Sequence, residues 1–194
     1  MSDYHEIHQA TPEEQAKVYA KLRKLRIGML TTQGADGALE SRPMTLLDVD
    51  GDGSMWFMTA AFTALEETLR RDGQVNVSFV DIGDSFYLST SAHAVFVEDR
   101  DKVEALWSPM ATAWFPEGPG DPSLRLLRVD AEKVDYWFSR SGRIVQMLAI
   151  AKAAARRTTP APEAGEHGTF TPTGAAAQAG DGGAHETTTA IGTR

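Results

Sequence analysis

Cysteine is missing from all 194 residues. That absence removes disulfides, thiol catalysis, thiolate zinc sites and iron–sulfur clusters together. It suits a reducing compartment, and a cytoplasmic protein is expected. No apolar run approaches the roughly eighteen residues that a membrane helix requires. The opening MSDYHEIHQA has neither the basic nor the apolar region of a signal peptide. Positive charge is short: 19 Lys and Arg stand against 27 Asp and Glu, for a net charge of −8. Such a surface repels nucleic-acid backbones and anionic headgroups, so neither nucleic acid nor a membrane is expected as a partner. Of the five histidines only His93 lies outside the terminal segments, and none pairs at a ligand spacing, so no metal site is expected.

Several motifs are incomplete. Gly118-Pro119-Gly120-Asp121 lacks the lysine and hydroxyl of a phosphate loop, and Gly51-Asp52-Gly53 lacks the third glycine of a dinucleotide turn. No G-x-S-x-G is present, and no catalytic acid, base or nucleophile can be named. The run from Asp48 to Gly53 matches half a calcium loop, but its twelfth position is Thr59 rather than glutamate, and strands flank it. A polar hairpin turn is the expected reading.

What remains is an ordinary globular chain, 42% hydrophobic and 24% charged, long enough for one domain. Thr11-Pro12-Glu13-Glu14 starts a helix, with Val18, Leu22 and Leu25 as its apolar stripe. Strands are expected over 27–32, 39–49, 55–59, 74–80, 86–90, 93–98 and 124–137, mostly joined by tight turns. Thr63 with Glu66 reads as a capping box opening a short helix over 63–71. Further helices are expected over 101–107 and 143–157. From 158 the composition becomes alanine, glycine, threonine and proline, so the division is a 1–157 domain and a 158–194 tail, mobile unless a partner orders it. The class is mainly β with flanking helices, arranged as a small antiparallel barrel.

The most informative stretch is Ser41-Arg42-Pro43-Met44. Alternation puts Glu40, Arg42, Met44 and Leu46 on one face of a strand. An arginine among apolar neighbours needs an anion, which is either a bound phosphate or a rim carboxylate, Glu40 or Asp48. Pro43 cannot donate to a ladder, so the strand is an edge or is bulged there. Thr63 at a helix start is a capping residue or part of an anion site. The aromatic run from Trp107 to Pro116 is either a core or interface plug or a lid over a flat ligand.

With Trp56-Phe57-Met58-Thr59, Val75-Asn76-Val77-Ser78-Phe79, Trp114-Phe115-Pro116-Glu117-Gly118, Asp121-Pro122 and Val134-Asp135-Tyr136-Trp137, the chain resembles the general stress protein 26 type of flavoprotein, among the pyridoxamine 5′-phosphate oxidase-like split barrels. The resemblance spans residues 18–157. It implies a six-stranded FMN-binding split barrel and a homodimer with flavin at the subunit interface. It gives Arg42 the flavin phosphate, sets Pro43 and Met44 beside the ring, lines the pocket with Phe57, Met58 and Thr59, and brings Thr63 to the phosphate. Trp107, Trp114 and Phe115 would approach the ring, from the other subunit in one arrangement. Many relatives carry a lysine two residues after Thr63, where this chain has Leu65; a weaker hold on phosphate follows, with Arg70 or Arg71 as replacement cations. FMN is the expected cofactor, ahead of FAD or a deazaflavin. The function implied is an FMN-binding general stress protein, catalytic as a flavin-dependent oxidoreductase if it turns over. The alternatives are a non-catalytic flavin-sensing module or an enzyme using a deazaflavin or tetrapyrrole. Pyridoxamine phosphate oxidation is not expected.

Overall fold

The computed structural model describes residues 8–139 and 165–172. Helix α1 (Pro12–Leu25) begins at a complete capping box: Thr11 Oγ1 accepts from the Glu14 amide at 3.3 Å, and the Glu14 carboxylate accepts from the Thr11 amide at 2.8 Å. Val18, Tyr19 and Leu22 form its buried face. The strands are β1 (His8–Gln9), β2 (Ile27–Gln33), β3 (Leu39–Thr45), β4 (Asp48–Val49), β5 (Met55–Ala60), β6 (Gln74–Asp81), β7 (Phe86–Val97), β8 (Leu124–Ser139) and β9 (Gly165–Phe170). Helices α2 (Ala64–Arg71) and α3 (Arg100–Leu106) and two 3-10 turns, Pro109–Ala113 and Gly118–Gly120, complete the chain order.

The sheet runs β1-β9-β8-β7-β6-β2-β3, and β5 pairs with both β8 and β4. Every pairing is antiparallel except β1 with β9. Strand β8 is long enough to serve two neighbours on one edge: β5 takes its first half and β9 its second. Two residues after β3 the chain enters β4, and the Leu47 amide donates to Trp56 O at 2.8 Å. The path therefore returns on itself through β3, β2, β6, β7, β8 and β5. Six strands make the ring within a sheet of nine. No helix among the described residues is long and apolar enough to cross a membrane.

Alternation fills the ring. Leu30, Phe57, Val77, Phe79, Leu127 and Val129 point inward and are buried, and α1 and α2 close the core with Leu22, Leu65 and Leu69. A smaller cluster of Trp56, Val103 and Leu126 seats α3 on the outside.

Several expectations are corrected. The single strand expected over 39–49 is two strands. Leu46 and Leu47 give their amides to Arg26 O and Trp56 O, and so pass the chain from β2 to β5. The two strands expected over 86–98 are one, β7, with a bulge between Ser91 and Ala92 that absorbs the irregular spacing. The helix expected over 143–157 lies outside the described residues. Within the expected tail, 165–170 is strand β9, because composition hides how well these few side chains fit. Phe170 is buried against Tyr19 and Tyr136, with ring centroids 5.9 and 6.3 Å apart. Gly168 lies so close to the Tyr136 ring that an added Cβ would sit 2.3 Å from it. The Ala10 amide then locks β9 from its other edge, donating to Thr169 O at 2.9 Å.

Candidate functional site

Strand β3 has one ladder partner among the described residues, β2, with Arg42 opposite Leu30 and Pro43 opposite Met29. Among the described residues its other edge is unpaired by any ladder, and an edge strand is where a proline such as Pro43, with no amide to donate, is tolerated. Met44 packs against the core, whereas Pro43 is exposed beside Met29. Arg42 lies between these environments, its side chain 26% exposed. Its Nη2 donates to Glu40 Oε2 at 3.0 Å and reaches the buried Thr32 hydroxyl at 3.4 Å. Glu40, two residues away on the same face, is 63% exposed. Asp48, the other candidate partner, is taken by Arg23 Nε at 2.8 Å.

The β5–α2 corner is built differently from its expected form. Thr63 caps α2, its hydroxyl accepting from the Glu66 amide at 3.2 Å and donating to Ala60 O at 3.3 Å. The Glu66 carboxylate reaches past Thr63 to the Phe62 amide at 2.6 Å, so the box is offset by one residue. This buried carboxylate also accepts from Arg70 Nε at 3.1 Å and Nη2 at 2.7 Å, and stands 3.5 Å from Arg125 Nε. The Arg70 guanidinium and then the Phe62 amide hold its carboxyl below the usual glutamate range. That stabilising effect is present above the ordinary glutamate pKa and is lost as pH falls through the lowered one.

Arg125 escaped the sequence reading. It lies opposite Thr59 in the β5–β8 register, with its guanidinium 5.7 Å from the centre of the Phe62 ring. Residues so far apart in sequence meet only through strand pairing, which no local motif announces. Arg71 is similar. At the end of α2 it donates from Nη2 to Gln33 O at 2.9 Å, on the hairpin that carries Arg42. Arg70, by contrast, is engaged by Glu66. The helix thus brings its last residue to the β2–β3 hairpin. Thr63 stands at its opposite end, about 12 Å away along the axis at ~1.5 Å per residue.

The remaining expected pocket residues spread over several environments. The Phe57 side chain is fully buried in the barrel, so only its backbone can face a ligand. Met58 packs partly into the cluster beneath α3, and Thr59 is partly exposed. Leu65 is 4% exposed and belongs to the main core, so it is a packing residue. Trp107 is half-buried at the end of α3, Phe115 is buried, and Trp114 is 80% exposed. The aspartates of the calcium-like turn are engaged: Asp50 holds Trp56 Nε1 at 2.7 Å and Lys102 Nζ at 3.0 Å, and Asp52 caps the Ser54 amide at 3.0 Å.

A phosphate needs a cation, and a planar heterocycle needs hydrogen-bonding groups beside a flat surface. The rim of β3 offers both kinds of group. Among the described residues, it carries one guanidinium held only by an exposed carboxylate and a threonine, and next to it a strand edge without a ladder partner. The donor set is chemically suited to a flavin mononucleotide.

The pattern of the family described as pyridoxamine 5′-phosphate oxidase like matches residues 13–161. The general stress FMN/FAD binding protein of Xanthomonas citri is 35% identical, with a TM-score of 0.60 over 68% of this chain and 93% of that one. A protein of Clostridium acetobutylicum related to general stress protein 26 shares the fold, at 23% identity and a TM-score of 0.60 over 68% of this chain and 93% of its own. Protein bli-3 of Neurospora crassa is 28% identical over 137 residues; the match spans 66% of this chain and 66% of that protein's length, just under two thirds. The barrel is the split barrel of these proteins, and the chain belongs to the pyridoxamine 5′-phosphate oxidase-like family.

Proposed function

We propose that this chain is an FMN-binding general stress protein, working in the cytoplasm as a homodimer with flavin held between the two copies. The observation that carries this reading is Arg42: a half-buried guanidinium at the free rim of a barrel strand, with an exposed side chain as its one ionic partner among the described residues. Family membership and the 35% identity to an FMN/FAD binding protein support it.

In this reading Arg42 binds the phosphate, and Arg71 supplies the second cation that Leu65 does not. Pro43 and Met44 flank the ring, and Thr59 with the backbone of Phe57 and Met58 lines the wall. Thr63 keeps its capping role. The exposed Trp114 covers the ring bound to the partner copy, while Trp107 and Phe115 hold its loop in place. When bound, the flavin supplies the redox chemistry, and the chain supplies binding, orientation and exclusion of water.

A second copy is favoured by the outer face of the sheet, where Ile27 and Met29 of β2, Val80 of β6, Tyr87 of β7 and Trp137 of β8 are all exposed. An apolar band across four strands is a typical mark of an interface.

Purified protein should be yellow, with an absorbance band near ~450 nm. Arg42→Ala should weaken FMN at least about tenfold, since a charge-assisted contact is worth roughly 1.5–3 kcal/mol and tenfold requires about 1.4. Titration by flavin fluorescence reads this out, and an unchanged affinity overturns the placement. Sedimentation should give a dimer. Turnover with a reduced nicotinamide would mark an oxidoreductase, and its absence a flavin carrier.

A further inference from the structure

We propose that Glu40 is an internal stand-in for the ligand's phosphate: its carboxylate pairs with the Arg42 guanidinium and is displaced when the phosphate arrives. The inference rests on the flavin reading above and adds a residue that sets its affinity. Glu40 and Arg42 are two residues apart on one strand, so alternation puts both on the same face. The pair is joined at 3.0 Å through Arg42 Nη2.

The two partners are unequal. Arg42 is mostly covered and tied to the buried Thr32 hydroxyl, so it keeps its place when the carboxylate leaves. Glu40 is 63% exposed and can turn into water. A phosphate offers the same oxygen acceptors with more charge, so it competes for the same donors. Once displaced, Glu40 stays within a few ångströms of the phosphate and repels it. The carboxylate therefore opposes binding twice, as a competitor before and as a like charge after.

Glu40→Gln removes the charge and keeps the shape, and Glu40→Ala removes the hydrogen-bonding group as well. Both should tighten FMN about three- to tenfold, from a lost surface pair and a lost like-charge contact. Riboflavin, which has no phosphate, should change less than about twofold, within the uncertainty of such a comparison. FMN affinity that stays the same or weakens in both variants overturns the proposal and makes Glu40 an orienting partner of Arg42. Equal tightening of FMN and riboflavin also overturns it, because the effect would not then act through phosphate. Arg42→Ala in the same titration separates this proposal from its parent. If that variant binds FMN as the unaltered chain does, the flavin site itself is misplaced. If it loses FMN while the Glu40 variants are unchanged, the stand-in alone fails.

Discussion

Leu65→Lys should destabilise the protein by at least about 3 kcal/mol, and it should not create a phosphate site. The resemblance to relatives makes this substitution look like a repair, since a cation at the start of α2 would restore a familiar phosphate contact. The packing says otherwise. Leu65 is 4% exposed and lies with Leu69 on the face of α2 that closes the barrel. Replacing it removes a buried leucine, which costs roughly 2–5 kcal/mol where the site cannot collapse. It also forces an ammonium either into the core or out past its neighbours on its flexible stem. One recovered contact to phosphate is worth about 1.5–3 kcal/mol and acts only when ligand is present. The loss exceeds the gain in the free protein. A melting temperature lower by roughly 6–12 °C is expected at about 2–4 °C per kcal/mol for a chain of this size. Leu65→Met should cost less than about 1.5 kcal/mol, because it conserves volume. A lysine variant that melts with the unaltered chain and binds FMN more tightly would show that α2 turns its Leu65 side outward.

The same helix shows what the sequence can and cannot reveal. Its existence and its Thr63 cap were legible, because capping is a local property. The hairpins, the alternation around Arg42 and the pairing of Arg42 with Glu40 as one of two alternatives were legible for the same reason. Which end of α2 reaches the Arg42 hairpin was not. That depends on the register by which Arg71 meets Gln33, a contact across thirty-eight positions. Arg125 was invisible on the same grounds, since β5 and β8 become neighbours only when the barrel closes. The β7 bulge was read as a break between strands, because a one-residue shift spoils alternation without ending the ladder. Leu65 shows a different failure. A resemblance carries over the place of a side chain in sequence, but the direction in which that side chain points is fixed by packing.

Phe170→Ala should cost about 3–5 kcal/mol, although the residue stands in a segment whose composition reads as tail. The ring is 2% exposed and meets Tyr19 of α1 and Tyr136 of β8 edge-on or tilted, so its removal leaves a hole between two elements that cannot both move in. The strand around it is fixed on both edges, by β8 along its whole length and by β1 at His8 and Gln9. Beyond it Pro172 is fully buried, where it meets the β4–β5 turn at Gly53. The short segment 165–172 therefore acts as a strap from the end of β8 to the base of the barrel. Its low apolar content is offset by the completeness with which a few side chains are covered. At about 2–4 °C per kcal/mol the variant should melt roughly 6–20 °C lower. Gly168→Ala is expected to act in the same direction through a different term, because its new methyl meets the Tyr136 ring at 2.3 Å rather than leaving a void. A thermal melt of each variant decides the matter. If both melt with the unaltered chain, β9 is a loosely held strand, and the barrel owes its stability to the six-strand ring and the helices that close it.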